Sequence, residues 1–439
     1  MKNWVNETNL SIESTTTHGL KKQAGVIHQT IDDWILWRWS IKEIPQMFSE
    51  IPEWYTNNVA HRWNYTEEEM DDTIEDWTRK LLHLDIDIWK KCRLRCPHCF
   101  KRNNELQNLT NKKELSLDDL KNVIIKFKEL WLKSIKVCWA WEPFDNPDFL
   151  PFLRFLHENN IWVSVFTKWY VIWNDELVKE TFGKYWINNS KELCEELKKL
   201  DISILLSLNS FDPEIQKRYS WATKWPMSWT YIESRDRALV NLINAWLNDF
   251  VPWEPTRLAV IMAPMKPENL EEIPEIYKRA RMRNIYPLWC PANNAWRWKD
   301  ENERVSEVDP NYEDDLVNLY AKIYIWNIEH WITTLEKVEK EWISLYPWCH
   351  PCTQSRAWWY LDLYWVLRSC PWHDTEIEWL KISWNIIDET DIKEMWKRSA
   401  NYKRKWFNQS CIARDGVSLS KDFYYRIMKK IKEHFTEKL

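Results

Sequence analysis

Three cysteines near residue 95 have a spacing that suits a metal centre. Cys92, Cys96 and Cys99 are separated by three and by two residues, and they follow a segment that predicts a β-strand. Thiolates hold iron–sulfur clusters, usually four to a cluster, so three clustered thiolates leave one iron open for a further ligand. Zinc also binds closely spaced cysteines, and His98 is then a candidate for its fourth ligand. The spacing alone leaves both metals open.

A second group of cysteines lies in the last hundred residues. Cys349 and Cys352 are separated by two residues, and Cys370 and Cys411 follow later in the chain. Four thiolates are enough for one [4Fe–4S] cluster without an open iron, but a structural zinc site with four cysteines has a similar spacing. This group therefore predicts a second metal centre whose metal the spacing does not decide.

Short β-rich segments alternate with amphipathic segments from residue 81 to about 290, which predicts a parallel sheet covered by helices, open or closed into part of a barrel. In such folds the site lies at the carboxyl ends of the strands, where the first three cysteines are expected. The predicted strands are His83–Ile88, Ile135–Cys138, Ile161–Thr167, Ile202–Leu208, Arg257–Met262 and Ile285–Leu288. The predicted helices include Ser116–Lys133, Ser190–Leu200, Asn269–Arg283, a segment near 311–342, a start capped by Thr66 and a last helix from Asp422.

The segment from Leu84 to Cys99, LDIDIWKKCRLRCPHC, resembles the signature of the radical S-adenosylmethionine (SAM) enzymes. In that family CxxxCxxC binds a [4Fe–4S] cluster whose open iron chelates SAM. The resemblance implies that Cys92, Cys96 and Cys99 hold this cluster and that His98 lies near the adenine of SAM. It also implies an α/β fold, a partial (β/α)6 TIM-like barrel with a small C-terminal Cys-rich auxiliary-cluster domain.

Further segments resemble the SAM-contacting motifs of the same family. Residues 139–143 read WAWEP where the family has GxGEP, residues 167–169 read TKW where it has TNG, and residues 207–209 read SLN like its SLN or SLD segment. Arg218 begins a segment like the family's R-x-x-G. The SAM contacts that the resemblance implies are Trp139, Ala140, Trp141, Glu142, Thr167, Ser207, Asn209 and Arg218.

The C-terminal cysteines resemble the auxiliary-cluster domains called SPASM and Twitch. Twelve residues separate Cys352 from Trp365, and four separate Trp365 from Cys370, which fits the opening of those domains if Trp365 stands for glycine. The resemblance implies that Cys349, Cys352, Cys370 and Cys411 bind one auxiliary [4Fe–4S] cluster, as in a Twitch domain. The domains expected are a polar, helical extension over 1–80, the barrel over 81–298, a helical linker over 299–345 and the iron–sulfur domain over 346–439.

The balance of glycine and tryptophan is abnormal. Glycine accounts for 4 of the 439 residues and tryptophan for 35, whereas glycine is usually about 7% of a protein. We hypothesise that most of the tryptophans are glycine in the living protein, because its source reads a UGA codon as glycine. A tryptophan-rich surface for sugars or single-stranded nucleic acid is the alternative. Tryptophans that stand where turns favour glycine are Trp169, Trp225, Trp296, Trp298, Trp358 and Trp359.

Taken together, the motifs predict a radical SAM enzyme. The resemblance implies reductive cleavage of SAM to a 5′-deoxyadenosyl radical that takes hydrogen from a substrate, foremost a peptide or protein, with flavodoxin or ferredoxin as reductant; no catalytic residue is identified. One alternative is a small-molecule enzyme similar to the cyclase of molybdenum cofactor synthesis. Another is a non-catalytic, zinc-stabilised binding protein.

Charge and hydropathy exclude two classes of partner. The net charge of −5 gives no basic field for general binding of nucleic acid, and no apolar run reaches the roughly 18 residues that span a bilayer. The first residues lack the apolar stretch of a secretion signal, so we expect a cytoplasmic protein. Of the three remaining cysteines, Cys194 is expected in the core, and burial is the expected role of Cys138 and Cys290 at strand ends.

Overall fold

The computed structural model is centred on one nine-stranded sheet. It describes residues 63, 65–87, 92, 94, 96–97, 99, 116–138, 142–220, 227–249, 255–291, 309–341, 354–362, 365–371, 381–383, 386–403 and 419–436. The order of strands is β6-β5-β4-β3-β2-β1-β7-β8-β9, so β6 and β9 are the two edges. The strands are β1 His83–Ile86, β2 Ser134–Val137, β3 Trp162–Thr167, β4 Ser203–Ser207, β5 Leu258–Met265, β6 Tyr286–Pro291, β7 Trp358–Leu361, β8 Leu367–Arg368 and β9 Lys381–Ser383.

All six strands expected from the sequence are present and pair in parallel, which confirms the open α/β barrel. Every residue of β1, β2, β4, β5 and β6 is buried, as expected for a parallel sheet whose faces are both covered. The helices that follow the strands contribute apolar stripes to the same core. The described α-helices before β5 are α1 Glu67–Asp71, α2 Leu117–Lys128, α3 Phe149–Glu158, α4 Asp175–Phe182, α5 Ser190–Lys199, α6 Pro213–Ser220 and α7 Met227–Asn244.

The later helices are arranged around the barrel and its C-terminal extension. The helix Phe423–Thr436 packs against the helix Tyr312–Glu329, where Arg426 Nη1 lies 2.9 Å from Glu313 Oε1 and His434 Nε2 lies 2.9 Å from Glu329 Oε1. The helices after β5 are α8 Ile273–Arg281, α9 Tyr312–Glu329, α10 Leu335–Glu341, α11 Gln354–Ala357, α12 Ile392–Arg398, α13 Ala400–Lys403 and α14 Phe423–Thr436.

Local sequence signals set several helix boundaries. Thr66 caps α1 and Ser116 caps α2, each in a reciprocal capping box with the third residue of its helix. The helix predicted over Asn269–Arg283 begins later, at Ile273, because Pro274 has no N–H to donate and is tolerated only in a first turn. The segment predicted near 311–342 is two helices, α9 and α10.

The strand that lies next to β1, on the side away from β2, comes from the C-terminal part of the sequence. β7 pairs in parallel with β1, so β1 is an interior strand of the sheet. β8 and β9 then continue the sheet in antiparallel fashion. Part of the expected iron–sulfur domain therefore shares a sheet with the barrel, while the division into four domains stays a prediction. Trp358 and Trp359, which the sequence placed in a turn, lie within β7, so that placement was wrong.

A row of polar side chains crosses the sheet at one level of the strands. Lys136 of β2 pairs in register with Asp85 of β1, Asp85 with Tyr360 of β7, and Tyr360 with Arg368 of β8. Register partners point to the same face of a sheet, and all four side chains are buried. We call these four residues the polar row. Within the described part of the chain, no helix is both long and apolar enough to cross a membrane.

Candidate active site at the carboxyl ends of the strands

The three N-terminal cysteines lie just beyond the carboxyl end of β1. Cys96 is buried, Cys92 and Cys99 are half-buried, and the amide N of Cys99 donates to the carbonyl of Cys96 at 3.0 Å. Burial raises the pKa of the Cys92 thiol well above its ordinary value, and the charges of Cys96, Glu142 and Cys99 raise it further. Such charge coupling requires these groups to be near one another.

The thiol group chemistry fits an iron–sulfur cluster better than the thiol geometry does. A thiol such as that of Cys92, whose ionisation is disfavoured by burial and by nearby negative charges, is stabilised as a thiolate by a cationic iron centre. Within the residues that the structure describes, however, no group of three or more His, Cys, Asp or Glu side chains is arranged to hold a metal ion. The side chains of Cys92, Cys96 and Cys99 thus lie near one another, but they are not arranged as the ligands of a metal ion.

Glu142 is the buried acid of this region. It accepts hydrogen bonds from Thr167 Oγ1 at 2.7 Å and from the amide N atoms of Lys168 at 2.6 Å and Phe144 at 3.3 Å. Burial, followed by the charge of Asp145, raises the pKa of Glu142 to about 8, although these three hydrogen bonds act in the opposite direction. The carboxyl group is therefore fixed in place by two different strand ends, that of β2 and that of β3.

Tyr170 is a further buried residue of this region, and the sequence analysis did not single it out. Its hydroxyl group donates to Asp145. Burial raises the pKa of Tyr170, and so do the nearby charges of Cys92, Glu142 and Asp145. An aromatic residue directly after the third predicted strand was the available signal, but a single tyrosine next to a turn is too common to single out.

A series of side-chain hydrogen bonds connects the residue after β3 to the end of β4. Lys168 Nζ donates to Ser207 Oγ at 2.7 Å, and Ser207 Oγ donates to Asn209 Oδ1 at 3.2 Å. The backbone of Asn209 is held by side chains that the sequence did not suggest, because its N donates to Gln216 Oε1 at 2.8 Å and its O accepts from Asn269 Nδ2 at 2.8 Å. Ser207 and Asn209 are therefore presented in a fixed arrangement.

The structure thus brings together Glu142, Thr167, Ser207 and Asn209 of the expected SAM contacts. Arg218 is not among them, since its side chain is exposed on α6. Cys194 is buried in α5, as expected, and Cys138 and Cys290 are buried at the ends of β2 and β6. The expected site residues that lie outside the described part are His98, Trp139, Ala140, Trp141, Cys349, Cys352 and Cys411.

Cys370, the described member of the C-terminal cysteine group, is buried after β8. Its charge is one of those that raise the pKa of Lys136, after the larger effects of burial, which acts in the opposite direction, and of Asp85 and Cys138. Cys370 therefore lies near the polar row.

Trp169 occupies the centre of this region. It is fully buried, its N donates to Thr167 Oγ1 at 3.0 Å, and its backbone is left-handed with φ of 59°. Thr167 Oγ1 thus accepts from the backbone of Trp169 and donates to Glu142 Oε1.

Comparison with known proteins supports the resemblance for part of the chain. Residues 86–280 match the model of the Radical SAM superfamily, which confirms a radical SAM domain over these residues. The match ends before the C-terminal cysteines, so the auxiliary-cluster domain stays a prediction. A search of curated proteins found no match.

Several solved structures are similar to this chain at low identity and low TM-score. SuiB from Streptococcus suis bound to S-adenosylmethionine is 16% identical, with 74% of this chain and 65% of that chain covered and a TM-score of 0.42. SuiB bound to precursor peptide SuiA is 14% identical, covering 76% and 69%, with a TM-score of 0.46. The FeFe-hydrogenase maturase HydG from Carboxydothermus hydrogenoformans is 14% identical, covering 73% and 70%, with a TM-score of 0.34. This chain thus spans 65% of the length of the SAM-bound SuiB chain.

Proposed function

We propose that this protein is a radical SAM enzyme that acts on a peptide or protein. Cys92, Cys96 and Cys99 would hold a [4Fe–4S] cluster at the carboxyl end of β1. When bound, the cluster and SAM supply reductive cleavage of SAM to methionine and a 5′-deoxyadenosyl radical that takes hydrogen from the substrate. The observation that supports this most is the match of residues 86–280, which include Cys92, Cys96 and Cys99, to the model of the Radical SAM superfamily.

The protein's own residues then have the task of binding and orientation. Glu142 offers a carboxyl group, held by Thr167 Oγ1 and Lys168 N, to a cationic amine of the ligand. Ser207 and Asn209 offer hydroxyl and amide groups to the ribose or carboxylate. Because all of these groups are buried and pre-arranged, they bind a ligand without a large ordering cost.

A second cluster in the C-terminal segment is part of the proposal. Cys349, Cys352, Cys370 and Cys411 would bind an auxiliary [4Fe–4S] cluster within a domain over 346–439. The burial of Cys370 and the pairing of β7 with β1 support a cluster close to the mouth of the barrel. An auxiliary cluster there is suited to bind substrate or to carry an electron, and the resemblance to SPASM and Twitch domains is the basis for expecting a peptide or protein substrate.

Metal analysis and SAM cleavage test this function. The chain is purified anaerobically in two forms, one as written and one with glycine at residues 139, 141, 169 and 365, and iron, sulfide and zinc are measured. Two clusters give a brown protein with about seven or eight iron atoms per chain. Incubation with SAM and dithionite then yields 5′-deoxyadenosine.

Variants separate the two clusters. The triple exchange of Cys92, Cys96 and Cys99 to Ala should remove about half of the iron and all SAM cleavage, whereas Cys370→Ala should remove the other half. Cys194→Ala is the matched control, since this buried cysteine lies in α5 away from both groups, and it should retain all the iron. A colourless protein that holds zinc and forms no 5′-deoxyadenosine in either form contradicts the proposal and favours a zinc-stabilised binding protein.

The substrate is tested by isotope transfer. A peptide encoded beside the gene is prepared with deuterium on its carbon atoms and incubated with the reduced enzyme and SAM. Deuterium in 5′-deoxyadenosine supports a peptide substrate. SAM cleavage that stays slow and unlabelled with peptides, but becomes fast with a small molecule, would support the small-molecule alternative instead.

A further inference from the structure

Ten residues of the described chain that are not glycine have a left-handed backbone, and their identities are unusual. Three are Asn or Asp, which tolerate this conformation because their short side chains bond locally. The other seven are all tryptophan, a bulky residue for which positive φ is a genuine outlier. The ten residues are Asn160, Asp201 and Asn284, and Trp77, Trp131, Trp169, Trp186, Trp246, Trp331 and Trp365.

Three of these tryptophans stand in the same helix-ending motif as the Asn and Asp residues. At Asn160 the amide N donates to His157 O at 2.9 Å, while the next residue donates to Leu156 O at 3.0 Å. These two bonds define the Schellman motif, whose left-handed residue is usually glycine. Trp131, at the end of α2, repeats the pattern with bonds to Lys128 O and Phe127 O of 2.9 and 3.4 Å.

The same motif ends α7 and α9. The amide N of Trp246 donates to Ile243 O at 2.9 Å, and the next residue donates to Leu242 O. Trp331 donates to Ile328 O at 3.2 Å, and its successor donates to Asn327 O. Six helix ends therefore use one backbone geometry, with Asn or Asp at three of them and tryptophan at the other three.

Two further tryptophans occupy equivalent places in hairpin turns. The amide N of Trp77 donates to Ile74 O at 2.9 Å, and Ile74 N donates to Thr78 O at 2.8 Å. In the turn between β7 and β8, Trp365 N donates to Asp362 O and Asp362 N donates to Val366 O, both at 3.0 Å. Hairpin turns of this kind place glycine at the left-handed position.

Five of these tryptophans are more than half exposed, so burial of the indole group does not offset the strain in their backbone. Trp77 and Trp186 are 84% and 87% exposed, and Trp131, Trp246 and Trp331 are 52% to 63% exposed. The buried indole N–H of Trp365 has no hydrogen-bond partner among the described residues, although buried indole groups usually find one. Large exposed apolar groups on strained backbone are the opposite of what packing favours.

We propose that these seven positions are glycine in the protein that its own host makes, encoded by UGA. Trp396 serves as the contrast. It is fully buried in α12, its indole N donates to Arg79 O at 2.6 Å, and its ring packs edge-on against Tyr402. Trp396 is therefore a genuine tryptophan, encoded by UGG.

The assignment has a consequence at the site, which rests on the proposed function. Glycine at position 169 removes a fully buried indole group from a residue whose backbone N donates to Thr167 Oγ1, the same hydroxyl group that donates to Glu142. We therefore expect the form with glycine to bind SAM next to Glu142 more tightly than the form with Trp169.

The gene and the native protein test the assignment without any assay of activity. We expect UGA at the seven positions and UGG at 396, and we expect peptides of the protein isolated from its source to carry glycine masses at the seven. UGG codons or tryptophan masses there overturn the proposal, whether or not the protein proves to be a radical SAM enzyme. Glycine masses without SAM cleavage would instead contradict the proposed function alone.

Variants of the chain as written supply a second test. The triple exchange Trp131→Gly, Trp246→Gly and Trp331→Gly should raise the midpoint of thermal unfolding, because glycine adopts positive φ without strain. The matched single exchange is Asn160→Gly, at an exposed position of the same motif, and it should raise the midpoint much less than Trp131→Gly does alone. Equal shifts in these two single variants, or a lower midpoint in the tryptophan variants, contradict the proposal. Trp169→Gly should raise SAM retention in equilibrium dialysis relative to the chain as written, with Trp77→Gly as the control.

Discussion

Lys136 Nζ lies 2.8 Å from Asp85 Oδ1, and both side chains are buried between the central strands of the sheet. The ammonium group also lies 4.6 Å from the ring centres of Trp63 and Trp358. Asp85 is in turn bonded to His83 Nε2 at 3.0 Å. A buried charge pair of this kind is stable only while both members are present, because each compensates the lost hydration of the other.

Removal of the Lys136 charge should therefore be costly. Lys136→Met leaves the Asp85 carboxylate buried without that cation, and we expect the free energy of unfolding to fall by about 3–5 kcal/mol. Adding Asp85→Asn should restore part of the loss. Urea denaturation measures both. The control is Lys191→Met, whose ion pair with Glu195 is exposed and should change stability by less than about 1 kcal/mol. An equal, small effect at both lysines would contradict this reading.

His83 predicts a pH dependence of stability. Burial lowers the pKa of His83 from 6.5 to about 4, despite the opposing effect of Asp85. Between pH 4 and 6.5 the unfolded chain therefore binds more protons at His83 than the folded chain does. The contribution of the neutral His83 to the free energy of unfolding is complete above pH 6.5 and is lost as the pH falls towards 4. This lowering of the pKa corresponds to about 3 kcal/mol in the free energy of unfolding.

Denaturation at a series of pH values tests this contribution. His83→Gln should remove most of the slope between pH 4 and 6.5, at the cost of a lower plateau. His157→Gln, at an exposed position on α3, is the control and should leave the slope as it is. A slope that survives in His83→Gln would mean that other groups carry the acid sensitivity.

Glu142 should be required for SAM binding. At a pH above 8, where Glu142 with its pKa of about 8 is ionised, Glu142→Gln keeps the size of the side chain but removes its negative charge. The loss of a charged hydrogen bond of about 1.5–3 kcal/mol then weakens binding about 10- to 100-fold. The measurement is equilibrium binding of SAM to the anaerobic holoenzyme with glycine at the positions assigned above. Glu195→Gln on the exposed face of α5 should bind like the parent. Unchanged affinity in Glu142→Gln would remove this residue from the site.

Ser116 should stabilise the start of α2. Its Oγ accepts from Asp119 N at 3.1 Å, and Asp119 Oδ2 accepts from Ser116 N at 3.1 Å. Ser116→Ala should cost about 1 kcal/mol, and Asp119→Ala should cost less when Ser116 is already absent. A double-mutant cycle by thermal denaturation measures this coupling, and strictly additive effects would show that the two bonds act separately.

The sequence was sufficient where spacing or periodicity carries the information. The six parallel strands follow from alternation of residue types. Motif spacing predicted that Cys92, Cys96, Cys99 and Glu142 lie near one another, and they do, while their role as ligands stays a prediction. Tyr170 was missed because its role depends on where the end of β3 lies relative to Cys92. Contacts of this kind are set by tertiary structure and leave no local pattern.

The position of β7 could not be read from the sequence either. A four-residue strand is too short to reveal its partner, and the residues that meet across this contact, Asp87 and Tyr360, are 273 positions apart. The start of α8 was missed for a smaller reason, since the apolar stripe continues N-terminal to Pro274 while its missing N–H ends the helix there.

The pairing of β1 with β7 also bears on how the chain acquires its structure during translation. Until the ribosome has released residues 358–361, one flank of β1 has no strand to pair with and remains an open edge. Such edges attract other chains, and contacts between distant segments form slowly. The half-finished barrel is thus at its most aggregation-prone late in synthesis, and a truncated chain that stops before residue 358 should need a chaperone to stay monomeric.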